Sequence, residues 1–195
     1  MTDLTGQIKD QRGGFAKLLS KLPGFHGYME KETRRDADKI VRDAVAAKFT
    51  AQLDRLSQLQ TDMLSNGGFE YVDDVEQSAV KLRLFIDRVK TAPRGYGGLF
   101  DAVQVKEDQL DQLYNFDYQL LSEVDRLAAA IDQCRVALGV QPAPPPAEGA
   151  APVAGAAPAP TGPEALKAAM NAVRQICTNL NDLYDKRQHV LVGAL

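Results

Sequence analysis

Residues 110–138, LDQLYNFDYQLLSEVDRLAAAIDQCRVAL, decide the fold class. Apolar side chains fall at Leu110, Leu113, Leu120, Val124, Leu127, Ile131, Cys134 and Leu138. Their spacing in threes and fours puts one continuous apolar seam along a helix. One slot, between Leu113 and Leu120, is filled by Asp117, within Tyr114-Asn115-Phe116-Asp117-Tyr118. A carboxylate on such a seam is costly unless it is paired. Either the helix turns slightly, so that Phe116 or Leu121 takes the core slot and Asp117 stays at the edge, or Asp117 is buried. A buried Asp117 predicts a bridge to an Arg or Lys, for instance Arg42, Arg83 or Arg88, that fixes helix register. A seam of this length needs helical partners, and the preceding helix, reached through a Gly-rich reversal, is the expected one.

Composition supports the same class. The 195 residues suffice for one domain with a sizeable core, and 45% hydrophobic with 25% charged residues is ordinary for a globular protein. With 23 basic against 26 acidic residues there is no global field to draw a polyanion, so nucleic acid is not an expected partner. Cys134 and Cys177 each sit in an apolar helical pattern and read as buried thiols in a reducing compartment, with a disulfide between the two helices as the lesser reading. The start, Met1-Thr2-Asp3-Leu4-Thr5, lacks a basic run leading into an apolar one, and no apolar run approaches the ~20 residues that span a bilayer. The expected location is cytoplasmic, with a peripheral position at the inner face of the membrane as a second reading.

Outward from the seam, residues 4–22 carry Leu4, Ile8, Phe15, Leu18, Leu19 and Leu22 at helical spacing among Lys9, Arg12, Lys17 and Lys21. Such a helix can lie on an anionic membrane, with Phe15, Leu18 and Leu19 buried, or it can dock on the protein's own core. Pro23 and two glycines then break the chain. A long helical pattern over 29–65 has a charged start and buries Val41, Val45, Phe49, Leu53, Leu56, Leu59 and Met63, with Ser65-Asn66-Gly67-Gly68 as its stop. Asp73 and Glu76 have capping-box spacing for the next helix, whose stripe is Val75, Ala79, Leu82, Ile86 and Val89, widened by Leu84 and Phe85. Ala92-Pro93 ends it.

The loop Pro93-Arg94-Gly95-Tyr96-Gly97-Gly98-Leu99-Phe100-Asp101 follows. A dinucleotide fingerprint needs a strand before its glycines, and a helix precedes these. The glycines allow a tight reversal while Tyr96, Leu99 and Phe100 plug the end of a bundle or form a partner-binding tip. Past Gly139, residues 140–162 are mostly Ala, Pro, Gly and Val and predict a semi-extended linker. Thr161 and Glu164 have capping-box spacing around Pro163, and the last helix carries Leu166, Met170, Val173, Ile176, Cys177, Leu180, Leu183 and Tyr184. That stripe is too apolar to stand alone in water, so the helix either folds back on the bundle or binds another chain.

The run Gly95-Tyr96-Gly97-Gly98-Leu99-Phe100-Asp101-Ala102-Val103, followed by Leu113-Tyr114-Asn115-Phe116-Asp117, resembles a family of uncharacterised bacterial all-helical proteins, over residues 28–138. The resemblance implies a bacterial source and a helical fold, and no activity or site.

For chemistry the sequence offers little. His26 and His189 lie at opposite ends of the chain, and neither follows a Glu by three, the pattern a di-metal bundle uses. No Ser, Cys or Lys stands in a nucleophile context, so no catalytic residue, metal or cofactor is expected. A pocket joining Asp117, Tyr114 and an arginine would be the place to reopen that question. The expected architecture is an all-α bundle over 1–139, a linker over 140–162 and an amphipathic helix over 163–195. The expected function is a non-enzymatic scaffold or interaction protein, working by coiled-coil-like self-assembly or by binding a protein partner. The alternative is attachment to an anionic membrane surface through residues 1–22. The interaction candidates are Asp117, Tyr114, Tyr96, Leu99, Phe100, Phe15, Leu18 and Leu19.

Overall fold

The structure is a computed structural model that describes residues 34–91, 107–140 and 161–192, with side chains over 41–91, 115–140 and 161–186. These residues form four helices, α1 (Arg34–Asn66), α2 (Val72–Thr91), α3 (Glu107–Ala137) and α4 (Pro163–Val192), and no strand. The chain is an all-α helical bundle.

Three helix ends, at Gly67, Gly139 and Gly162, are set by the backbone. Gly67 takes φ +85°, a left-handed conformation that costs other residues ~1–2 kcal/mol, and Gly68 N–H donates back to Met63 O (2.9 Å). A single 3-10 turn, Phe69–Tyr71, carries the chain into α2, with Tyr71 N–H bonded to Gly68 O. That turn replaces the Asp73 cap expected from the sequence. Glu76 instead accepts a hydrogen bond from Gln60 on α1 (3.2 Å). At the far end of α3, Gly139 N–H and Val140 N–H return to Val136 O and Arg135 O, a Schellman closure. Gly162, at φ +101°, cannot be helical, so Leu166 N–H bonds to Gly162 O and α4 begins at Pro163. The cap therefore falls one residue later than Thr161 predicts.

The helices pack as a ring in the order α1, α2, α4, α3. α1 and α2 form one antiparallel hairpin. α3 and α4 form a second, their ends joined by Gly162 N–H to Ala137 O (3.2 Å). The hairpins lie side by side so that α1 runs parallel to α3, with Arg55 on Asp132 and Asp62 on Arg135. α2 runs parallel to α4, with Asp74 near Arg174, Lys81 on Thr178 and Arg88 on Asn181. Two expectations change here. The described part of the seam, residues 115–138, packs on α1 and α4, while the preceding helix α2 sits across the diagonal of the ring. And the C-terminal helix, whose place the sequence left open, folds back as the fourth member of the bundle. Its stripe of Leu166, Met170, Val173, Ile176, Cys177, Leu180 and Tyr184 is buried beside α3, which is why α2 is displaced from that position.

The core is one cluster. Phe49, Leu56, Leu59, Met63, Leu82, Phe85, Leu127 and Ile131 are all fully buried, and Phe49, Phe85 and Tyr184 stack edge to face at 4.9 and 5.9 Å between ring centres. Such pairs add ~1 kcal/mol beyond area burial. Among the described residues burial follows the predicted stripes, with one exception that matters below: Phe85 is buried, whereas Leu84 is not.

Candidate functional site

The polar side chains of this bundle serve mainly to join its helices. Between α1 and α3, Arg55 donates to Gln52 Oε1 (2.9 Å) and to Asp132 Oδ1 (2.5 Å). Arg135 Nε lies 2.9 Å from Asp62 Oδ2 in a largely buried pair, off the N–H axis, so the two are ion-paired without a directed hydrogen bond. Between α2 and α4, Arg88 holds Asn181 (3.2 Å) and Asp185, lies over the Tyr184 ring at 5.1 Å, and its carbonyl accepts from Tyr184 Oη (3.1 Å).

Asp117 is 5% exposed, so it does not sit at the edge of the seam. Phe116 is half-buried and Leu121 buried, yet neither replaces it. Of the three arginines considered as its partner, Arg88 is engaged with α4 and Arg83 is exposed. Arg42 is half-buried and belongs to the core series Arg42, Phe49, Leu56, Met63. The pairs 55 with 132 and 62 with 135, and the contact of Met63 and Leu138 around Gly68, keep a nearly constant offset between α1 and α3. That offset brings Arg42 level with Asp117. Tyr114 lies on α3, but its side chain is outside the described residues, as are Tyr96, Leu99, Phe100, Phe15, Leu18 and Leu19 altogether. The membrane-surface reading, which stands on residues 1–22, is outside them too.

Cys134 and Cys177 are free and buried. They are separated along the α3–α4 hairpin by about 18 Å, counting from Ala137 and Gly162 at 1.5 Å per residue. Burial pushes both thiols from 9.0 up to about 12, so neither carries nucleophilic thiolate near neutral pH. Among the described residues no three His, Cys, Asp or Glu side chains converge as metal ligands, and no helix is long and apolar enough to cross a membrane.

Two open grooves flank α4. One, of about 260 Å³, is walled by Lys81 and Arg174 with amide and hydroxyl side chains. Both cations already have partners there, Lys81 donating to Thr178 (3.0 Å) and Arg174 facing Asp74 (3.6 Å). The other, of about 460 Å³ between α3 and α4, includes Glu123, Asp182 and Lys186, with Glu123 held by Arg126 (2.6 Å).

The distribution of exposed apolar side chains is more telling. Leu64 (50% exposed), Phe69 (64%), Val80 (52%) and Leu84 (55%) are the large hydrophobic residues left facing water among the described residues, and all four lie on the α1–α2 hairpin. On α2 the buried face is Val75, Ser78, Leu82, Phe85, Ile86 and Val89. Val80 and Leu84 each stand two residues from Leu82, or 200° around the helix, and so point directly away from the core. Being one turn apart, they are neighbours on the helix surface. Their surround is charged, with Asp73 and Glu76 toward the start of α2 and Arg83, Asp87 and Lys90 toward its end, all exposed. Sequence periodicity missed this patch because it assigned Leu84 to the core stripe. The signal that finds it is phase: Leu84 is the one member of that stripe half a turn out from Leu82.

No protein-family model, no curated protein and no solved structure matches the chain, so the likeness noted for residues 95–103 and 113–117 carries no argument about the site.

Proposed function

We propose that the protein is a non-enzymatic helical scaffold that works by protein–protein contact through the outer side of its α1–α2 hairpin. One observation carries this reading: all four exposed large hydrophobic residues of the described bundle fall on that hairpin. Isolated surface leucines are ordinary, but a set confined to one hairpin that includes a pair one helical turn apart marks a contact face. Among the described side chains, the opposite hairpin presents amides, hydroxyls and charges instead, among them Asn171, Gln175, Asn179 and Asp182.

The test is photocross-linking in the native host, with a benzophenone amino acid placed at position 69 or 84 and, as control, at Gln175 on α4. Cross-linked protein bands from 69 and 84 but not from 175 are the expected result. Equal cross-linking from both hairpins, or none from either, removes the reading.

A further inference from the structure

We propose that Asn66-Gly67, at the end of α1, is a site of spontaneous covalent modification. The asparagine closes on the next backbone nitrogen and reopens as aspartate or isoaspartate, and the isoaspartate form loosens the joint between α1 and the end of α3. The inference stands apart from the interaction reading above.

The reaction starts with loss of the Gly67 amide proton to solvent base. The bared nitrogen attacks Asn66 Cγ, a C–N bond forms, and Nδ2 leaves as ammonia. The product is a cyclic imide. Water then opens it at either carbonyl, so the net change is ammonia lost and water gained. Opening at the side-chain carbonyl leaves aspartate on an unchanged main chain. Opening at the main-chain carbonyl leaves isoaspartate, in which the chain itself runs through Cβ and is longer by one methylene.

Three observations single out this asparagine. First, the residue that follows has no Cβ to crowd the attack, and nothing lies within 4 Å of where one would stand. Second, the attacking nitrogen is free. At the end of α3, Leu138, Gly139 and Val140 N–H all return to helix carbonyls, whereas at the end of α1 Gly68 N–H returns to Met63 O and the exposed Gly67 N–H enters no such bond. Third, Asn66 is exposed and is the last residue of its helix. The other asparagines, Asn115, Asn171, Asn179 and Asn181, precede Phe116, Ala172, Leu180 and Asp182 inside α3 or α4, where the helix ladder ties up the next amide. One contact opposes the reaction: Asn66 Nδ2 donates to Asp62 O (2.7 Å) and draws the side chain back along the helix. That bond is exposed and lies in the last turn, so it competes with water and opens as the helix end frays.

The two products differ in what they disturb. Aspartate loses the Nδ2 donor and sets a negative charge at the negative end of the helix dipole, with the backbone path kept. Isoaspartate displaces Gly68. That residue has no slack, because its N–H is bonded to Met63 O (2.9 Å) and its Cα side faces Leu138 and Met63 so closely that a Cβ would stand 3.0 Å from each.

The test is prolonged incubation of the full chain at mildly alkaline pH, followed by peptide mapping with mass spectrometry and isoaspartate detection. Conversion should be confined to the fragment holding Asn66, should quicken as pH rises, and should be lost in Asn66→Gln, whose larger ring closes far more slowly. The isoaspartate form, separated by ion exchange, should melt below both the wild type and Asn66→Asp, which carries the charge on an unaltered backbone. An Asn66 that stays intact, or conversion spread equally over the asparagines inside the helices, overturns the site. An isoaspartate form that melts together with Asn66→Asp overturns its effect on the joint.

Discussion

Asp117 shows how one residue can be legible as an anomaly while its solution is not. Its place in the seam, with Leu120, Val124, Leu127 and Ile131 following at core spacing, marks it as a carboxylate in an apolar series. What compensates it depends on which helix lies alongside, and that is fixed by contacts far apart in the chain, such as Arg55 with Asp132. With Arg42 level with it on α1, the expected arrangement is a charged layer inside the bundle, in addition to the largely buried pair of Asp62 and Arg135. Removing one member strands the other in the interior, so Asp117→Ala should lower stability by about 3 kcal/mol. Replacing both by apolar side chains of similar size, Arg42→Met with Asp117→Leu, should recover most of that loss, because a well-packed hydrophobic pair often equals or exceeds a buried ion pair. Urea denaturation of Arg42→Met, Asp117→Leu and the double variant measures the coupling. If the double variant loses as much as the two single variants summed, the residues act independently and the layer does not exist.

Among the elements, stops were easier to read than neighbours. Gly67-Gly68, Gly139 and Pro163 announce helix ends through backbone chemistry that acts over a few residues, and the ends fall within one or two residues of them. Neighbours depend on which stripes meet, and three amphipathic helices with similar stripes can exchange places at little local cost. Hence α2 was expected beside α3 and lies across the ring. Leu84 was misplaced for a related reason: a stripe read as a set of residues does not reveal the phase that puts one member outside. Gly68 joins the two levels, since it ends a helix and also lets two others approach. A Cβ there would stand 3.0 Å from both Leu138 Cδ2 and Met63 Cγ, where the turn of the first hairpin wedges against the end of α3. Both neighbours are partly or wholly buried and have limited room to move. Gly68→Ala should therefore cost on the order of 1–3 kcal/mol, as overpacking does elsewhere. A thermal melt showing Gly68→Ala as stable as wild type would mean that the two hairpins are not wedged at this point.

At the scale of the whole molecule, the segment between α3 and α4 changes meaning once its two ends are located. As sequence, residues 140–162 are a spacer able to carry the last helix tens of ångströms away, at ~3 Å per residue. As structure, the segment leaves beside Ala137 and returns at Gly162, whose N–H bonds to the Ala137 carbonyl at 3.2 Å. The two flanks of the spacer therefore meet, and α4 is held by its buried stripe and by its ties to α2, among them Arg88 with Asp185 and Tyr184 with the Arg88 carbonyl. If packing alone keeps α4 in place, the length of the segment is nearly irrelevant to the fold. Replacing residues 141–160 by a turn of about five residues, a fourfold shortening, should leave helicity unchanged and raise stability by roughly 1 kcal/mol from the smaller loop-closure entropy. Cutting the segment at an engineered protease site should likewise leave residues 161–195 co-eluting with the rest of the chain on gel filtration. A helix that served mainly to capture another chain would behave in the opposite way. The shortened variant would lose cooperativity, because α4 would be forced into a position it does not prefer, and the cleaved fragment would elute alone. The buried Val173, Cys177 and Leu180, each fully excluded from water, argue for the first outcome, since dissociation would expose them all together.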